Sequence, residues 1–183
     1  PWGEEMLTVE AKAWAIEKTR QWPVANKGIG TLFLPKAAAL TKLNGRISMI
    51  QSASSLLFNR SGPACEFRKK FFTSFQVDEV VNLSALRFKV FNQKTRSTQK
   101  SVAPSCIVTF LPKEPSNERF AYISPKLAEE YTDEFDVLIE PVDVKSVHIQ
   151  EAATEADIWS ALMWGQHRDW RLVRRLRTES TLA

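Results

Sequence analysis

The residues of this chain best suited to chemistry are its clustered cations. Lys94, Arg96 and Lys100 stand among hydroxyl and amide side chains in "NQKTRSTQKSVAPS". In the tail, Arg168, Arg171, Arg174, Arg175 and Arg177 are interleaved with Trp170, Leu172, Val173 and Leu176. Lysine, arginine and hydroxyl groups make most contacts to nucleic-acid phosphates, and such binding weakens with salt. A solvated edge loop and an amphipathic helix with a charged face satisfy the same two patterns, so both readings stand at this point.

Other constellations exclude more than they suggest. Neither His148 nor His167 has a Cys or His neighbour at metal-ligand spacing, and His148 reads as an exposed strand histidine. No G-x-S-x-G and no phosphate-loop lysine motif is present. "GIGTL" lacks the third glycine of a dinucleotide fingerprint and follows no strand. The acids of "LAEEYTDEFD" have nothing nearby to shift their pKa values, so they read as a solvated face. The chain taken by itself holds no self-sufficient catalytic set.

The elements that must carry these residues come next. The 183 residues are 44% hydrophobic and 25% charged, the composition of an ordinary globular protein. A formal net charge of +4 and a pI near 9.2 make it mildly basic, too little to prove a nucleic-acid partner. No apolar run approaches the roughly 18–20 residues that span a bilayer. Cys65 and Cys106 lie in apolar segments without a partner motif and read as reduced core residues, as in a cytoplasmic protein.

"EEMLTVEAKAWAIEKTRQWP" predicts a helix, with acids in front and a proline behind. In "KGIGTLFLPKAAALTKLNG", Ile29, Leu32, Phe33, Ala37, Leu40 and Leu43 fall at helical spacing. Pro35 belongs in a first turn, which starts the regular helix near Leu34, and Asn44-Gly45 suits its close. "RISMIQSAS" is nearly continuous in apolar residues, the mark of a strand covered on both faces. "SGPACEFRKKFFTSF" has a Ser-Gly-Pro start and a stripe of Phe67, Phe71, Phe72 and Phe75, with Arg68, Lys69 and Lys70 on the wet side. "QVDEVVNLS" and "CIVTFLP" read as strands flanking the long polar loop. "ERFAYISP" and "DVLIEPVDVKSVHIQ" hold shorter strands, and a helical tail capped by Thr154 and broken at Gly165 follows. Strands alternating with helices imply a mostly parallel sheet, and the last pair of the main run, joined without a helix, implies an antiparallel hairpin at its edge.

In order along the chain, "LFLPKAAALTKLNGRISMIQSASSLLF", "SGPACEFRKKFF", "VDEVVNLSALRFKVF" and "IWSALMWGQHRDWRLVRRLR" resemble segments of N6-adenine DNA methyltransferases of restriction-modification systems. The first three are similar to the helices and strands of the later half of the catalytic domain. The fourth is similar to the Trp-Gly-Arg-Asp segment where that domain hands over to target recognition.

The resemblance implies an α/β fold: a partial, Rossmann-like S-adenosylmethionine-dependent methyltransferase sheet with a terminal β-hairpin, then a small α+β tail. Residues 1–125 are then the C-terminal half of the catalytic domain, and 126–183 a connector and the start of the target-recognition region. Pro1 and Trp2 match the end of the Asn/Asp-Pro-Pro-aromatic motif, with Trp2 stacking on a flipped adenine and Pro1 in the clamp on its amino group. Phe88 and Phe91 become candidates for the other wall of the base pocket. Lys94, Arg96, Lys100, Arg171, Arg174 and Arg175 become candidates for contact with double-stranded DNA. S-adenosylmethionine is bound, in this reading, by an N-terminal half outside this chain, and the chain alone is inactive. Two alternatives compete: a freestanding basic α/β nucleic-acid-binding module without catalysis, and an interaction domain that docks on another subunit.

Overall fold

The computed structural model describes residues 7–25, 28–87, 103–127 and 137–178. Helix α1, Val9–Gln21, begins where Thr8 Oγ1 accepts the amide of Ala11 at 3.3 Å, an ordinary N-cap. Helix α2, Ile29–Leu40, starts five residues before the position expected from Pro35, which lies inside it. Pro35 removes one helical hydrogen bond, but the early turns bury Ile29, Thr31, Leu32 and Leu34, and that burial holds the helix together. The buried stripe also differs from the expected one. Leu34 and Ala38 face the main core, whereas Phe33 is 43% exposed and meets Trp14 of α1 at 6.0 Å between ring centroids. Leu40 and Leu43 are exposed, and Asn44-Gly45 belongs to a separate turn in which Gly45 N donates to Lys42 O.

Strand β1, Ile47–Ser52, runs into a π-helical turn at Ser54–Phe58. Helix α3, Gly62–Ser74, has Ser61 at its N-cap and Pro63 in the first turn, as its sequence predicts. Phe67, Phe71 and Phe72 are buried as expected. Arg68 is not on the wet face; it is 2% exposed, and its guanidinium donates to the carbonyls of Leu56, Leu57 and Asn59. The C-terminal carbonyls of the preceding turn need donors, and arginine's planar fork supplies several at once.

Strands β2 (Gln76–Asn82), β3 (Ser105–Leu111), β4 (Arg119–Ile123) and β7 (Val144–His148) join β1 in one sheet of order β1-β3-β2-β4-β7, while β5 (Lys126–Leu127) and β6 (Val137–Leu138) pair separately. The sheet is mixed rather than mostly parallel: among the described strands only β2 and β4 are parallel neighbours. The β2–β3 hairpin forms as expected but lies inside the sheet, not at its edge. β3 slots between β1 and β2 and is antiparallel to both, so β1 and β2, joined through α3, run parallel to each other.

Helices α4 (Ile149–Thr154), α5 (Ile158–Trp164) and α6 (His167–Thr178) complete the described chain. Thr154 ends α4 instead of capping a later helix, and His148 caps α4 through Nδ1, which accepts from Gln150 N at 3.2 Å. His148 is therefore half-buried rather than exposed. The break at Gly165 is present between α5 and α6.

One apolar cluster unites α2 through α6 with a single face of the sheet. Phe71 meets Phe110 of β3 edge-on at 5.1 Å, and Phe72 stacks on both Phe120 of β4 and Trp159 of α5 at 5.4 Å. Residues on the two sides of position 125 thus share one sheet and one core. The other face carries a row that the register takes across all five strands: Ile50, Ile107, Val81, Ile123 and Val144. β1 is correspondingly not covered on both faces. It alternates, with Ile47 and Gln51 buried and Ile50 66% exposed. Both cysteines are free, Cys106 buried and Cys65 half-buried. Among the described residues no helix is long and apolar enough to cross a membrane.

Candidate nucleic-acid interface

Arginine and leucine are good helix formers, and they supply seven of the twelve residues of α6. Its start is set by Asp169, whose Oδ2 accepts the amide of Gln166 at 2.7 Å, the N3-to-N-cap half of a capping box. The carboxylate in the first turn also complements the helix dipole.

The 3.6-residue repeat then sorts the arginines into two sets. Trp170 is buried in the core cluster and Val173 packs against it. Arg174, on the same side, stands over the Trp170 ring at 6.0 Å and pairs with Glu151 at 3.5 Å and Glu155 at 3.8 Å. Arg177 pairs with Asp157, which also receives Arg60. Arg168, Arg171 and Arg175 follow one another at three and four residues on the opposite side, beside exposed Leu172 and Leu176. With Gln166 and Asp169 they line a groove of about 800 Å³. From Arg168 to Arg175 the helix rises about 10 Å.

Of the residues that the sequence nominates, Arg171 and Arg175 share this outer stripe, and Arg174 is turned toward α4. Pro1, Trp2, Phe88, Phe91, Lys94, Arg96 and Lys100 lie outside the described residues. Arg168, which belongs to the same cationic run but not to the DNA-contact candidates, joins them here at the helical spacing to Arg171 and Arg175.

A second polar cluster lies where the parallel strands β2 and β4 end, the usual place for sites in α/β sheets. Asn82 Nδ2 donates to Tyr122 Oη at 2.7 Å, and that hydroxyl donates to Trp159 O at 3.1 Å. Beside it, Lys145 Nζ donates to Ser124 Oγ at 2.9 Å, and Lys126 lies 3.3 Å from the same oxygen and 3.6 Å from Asp143 Oδ1. Desolvation lowers the pKa of both lysines; the neighbouring ammonium of Lys126 adds to the effect on Lys145, and Asp143 opposes it. A serine beside a lysine is a nucleophile arrangement in some hydrolases. Here Ser124 is fully buried and Lys145 is 5% exposed, so the pair ties β4 to β7 and, through Leu162 O, to α5.

No two of the described glycines share a strand-to-helix turn, so the described residues do not form a glycine-rich cradle for S-adenosylmethionine. No protein-family model matches the chain, and no curated protein is significantly similar to it.

Proposed function

We propose that the chain is the C-terminal half of the catalytic domain of an adenine-specific DNA methyltransferase with the lead into its target-recognition region, and that it meets DNA through the outer face of α6. The observation that carries the DNA contact is the pair of exposed guanidinium side chains Arg168 and Arg171 beside an open groove, on the side of α6 opposite buried Trp170 and the Arg174 that pairs with Glu151. The methyltransferase assignment rests on the ordered resemblance of four segments. A mixed α/β sheet with parallel strands joined through α3 and an antiparallel β2–β3 hairpin is compatible with it. In the intact enzyme S-adenosylmethionine supplies the methyl group from polypeptide outside this chain, and the chain's own contribution is to hold and orient the duplex.

Two titrations test the reading. Isothermal titration of S-adenosylmethionine into the isolated chain is expected to show no binding; stoichiometric binding would overturn the view that the cofactor site lies elsewhere. Anisotropy with a labelled duplex is expected to show binding that weakens steeply with salt. Absence of binding at low salt would remove the DNA contact and leave the cofactor result untouched.

A further inference from the structure

Helix α5 turns Ile158, Trp159, Leu162 and Met163 into the core and its last residue, Trp164, outward. Among the described tryptophans this one stands apart. Trp159 and Trp170 are buried, and Trp14 and Trp22 are half-buried against phenylalanines. Trp164 is 70% exposed. Such large apolar rings are concentrated where proteins meet partners.

The ring is also held. Lys126 Nζ lies over it, 5.6 Å from the centroid, within the range of a cation–π contact. That ammonium is itself fixed, donating to Ser124 O at 2.5 Å and pairing with Asp143 Oδ1 at 3.6 Å. The ring thus rests on a tethered cation and leaves most of its surface to solvent. A short path of contacts links it to the α6 groove. Asp143 belongs to the 3-10 turn Pro141–Asp143, in which Val142 O accepts Gln166 Nε2 at 2.9 Å, and Gln166 lines the groove with Arg168 and Arg171. The acids along this path are engaged, Asp143 with Lys126 and Asp169 with the amide of Gln166.

We infer that Trp164 is a stacking platform for a base turned out of the duplex whose phosphates Arg168 and Arg171 hold. A fixed aromatic face beside cations is the arrangement that binds unstacked nucleotides: the ring takes the base and the cations take the backbone. The cationic flank favours a polyanion over an apolar protein surface as the occupant. Stacking uses the π face that every base has, so the platform takes any base. In this it differs from the adenine clamp that the resemblance gives to Pro1 and Trp2. The inference rests on the DNA contact proposed for α6.

Anisotropy of the whole chain with two labelled duplexes tests it, one perfectly paired and one identical but for a single extrahelical base. The second is expected to bind at least about fivefold more tightly, whether the extra base is adenine, cytosine or thymine. Trp164→Ala should erase that preference and leave the affinity for the perfect duplex and the salt slope as in the parent, because a neutral contact releases no counterions. Its circular dichroism and melting should stay close to the parent's, since the position is exposed. Trp164→Phe, which keeps an aromatic face, should keep most of the preference. A parent that binds the perfect duplex but shows no preference, or a preference that survives Trp164→Ala, would overturn the inference and leave the α6 contact standing. A preference for extrahelical adenine alone would overturn it as well. Failure to bind either duplex at low salt would overturn both.

Discussion

The carboxylate of Asp169 lies against the backbone of Gly165: a Cβ at Gly165 would stand 2.7 Å from Asp169 Oδ2 and 3.0 Å from Asp169 Cβ. The glycine is needed for close approach and not for an unusual backbone angle, since its φ is −122°. Gly165→Ala should therefore destabilise the fold by about 2 kcal/mol, the usual cost of overpacking. Asp169→Ala should cost about 1 kcal/mol through the lost cap. The double variant should cost less than the sum, because removing the carboxylate removes much of the clash. Urea unfolding of the three variants measures this; strict additivity would mean that the two residues do not meet.

Arg68 offers a second test, of a buried charge that holds backbone. Its guanidinium donates to three carbonyls and, through the other terminal nitrogen, to Cys65 Sγ at 3.2 Å. Burial lowers its pKa, and Cys65 opposes that. Arg68→Ala leaves the carbonyls of Leu56, Leu57 and Asn59 without this donor and opens a cavity, a loss of about 3 kcal/mol. Arg68→Lys should recover only part of it, since an ammonium cannot reproduce the planar fork. Full recovery by lysine in thermal melts would show that charge alone matters there.

How far the sequence foretold this structure depends on whether a feature is local. The Ser-Gly-Pro start of α3 and its phenylalanines at four-residue steps are local, and both stand as read. Arg68 sits in the run Arg68-Lys69-Lys70, which looks uniformly wet; only the π-helical turn folded beside it supplies the carbonyls that bury it. The placing of β3 between β1 and β2 is a pairing between distant segments, invisible to any window of neighbouring residues. The start of α2 was hidden because the rule for Pro35 is local and the burial that overrides it is not. In α6 the amphipathic pattern was legible, but which arginines turn inward was set by where Glu151, Glu155 and Asp157 come to lie. The candidates at Pro1, Trp2, Phe88, Phe91, Lys94, Arg96 and Lys100 fall outside the described residues and keep the standing that the resemblance gives them.

Alkaline pH should weaken the fold through Cys106. Burial pushes its thiol from 9.0 up to about 12, so the folded chain keeps a proton that the unfolded chain releases between those values. Stability from this group is whole below pH 9 and falls above it by about 1 kcal/mol per pH unit. Tyr122, raised by burial from 10.0, acts in the same direction. Lys126 and Lys145, held below 10.5 chiefly by desolvation, act oppositely, adding stability as pH rises through their lowered values. Cys106→Ala should cost about 1 kcal/mol at neutral pH, as for a small buried truncation, yet lose less than the parent on going from about pH 9 to about pH 11. Denaturant midpoints at the two pH values check the sign; parallel losses would place the alkaline weakness elsewhere.

Arg171 and Arg174 are three residues apart and should behave as opposites. Arg171 belongs to the outer stripe, so Arg171→Ala should weaken duplex binding alike for all sequences and lower the salt slope by about 1, as expected for one lost phosphate contact. Its stability should stay within about 0.5 kcal/mol of the parent. Arg168→Ala should do the same. Arg174 is spent on Glu151, Glu155 and the face of Trp170, so Arg174→Ala should cost about 1 kcal/mol of stability and leave the salt slope unchanged. Anisotropy over a salt series, paired with urea unfolding, separates the two patterns. Should Arg174→Ala lower the slope as Arg171→Ala does, the division of α6 into a packing side and a DNA side would be wrong, and the whole helix would have to turn on binding.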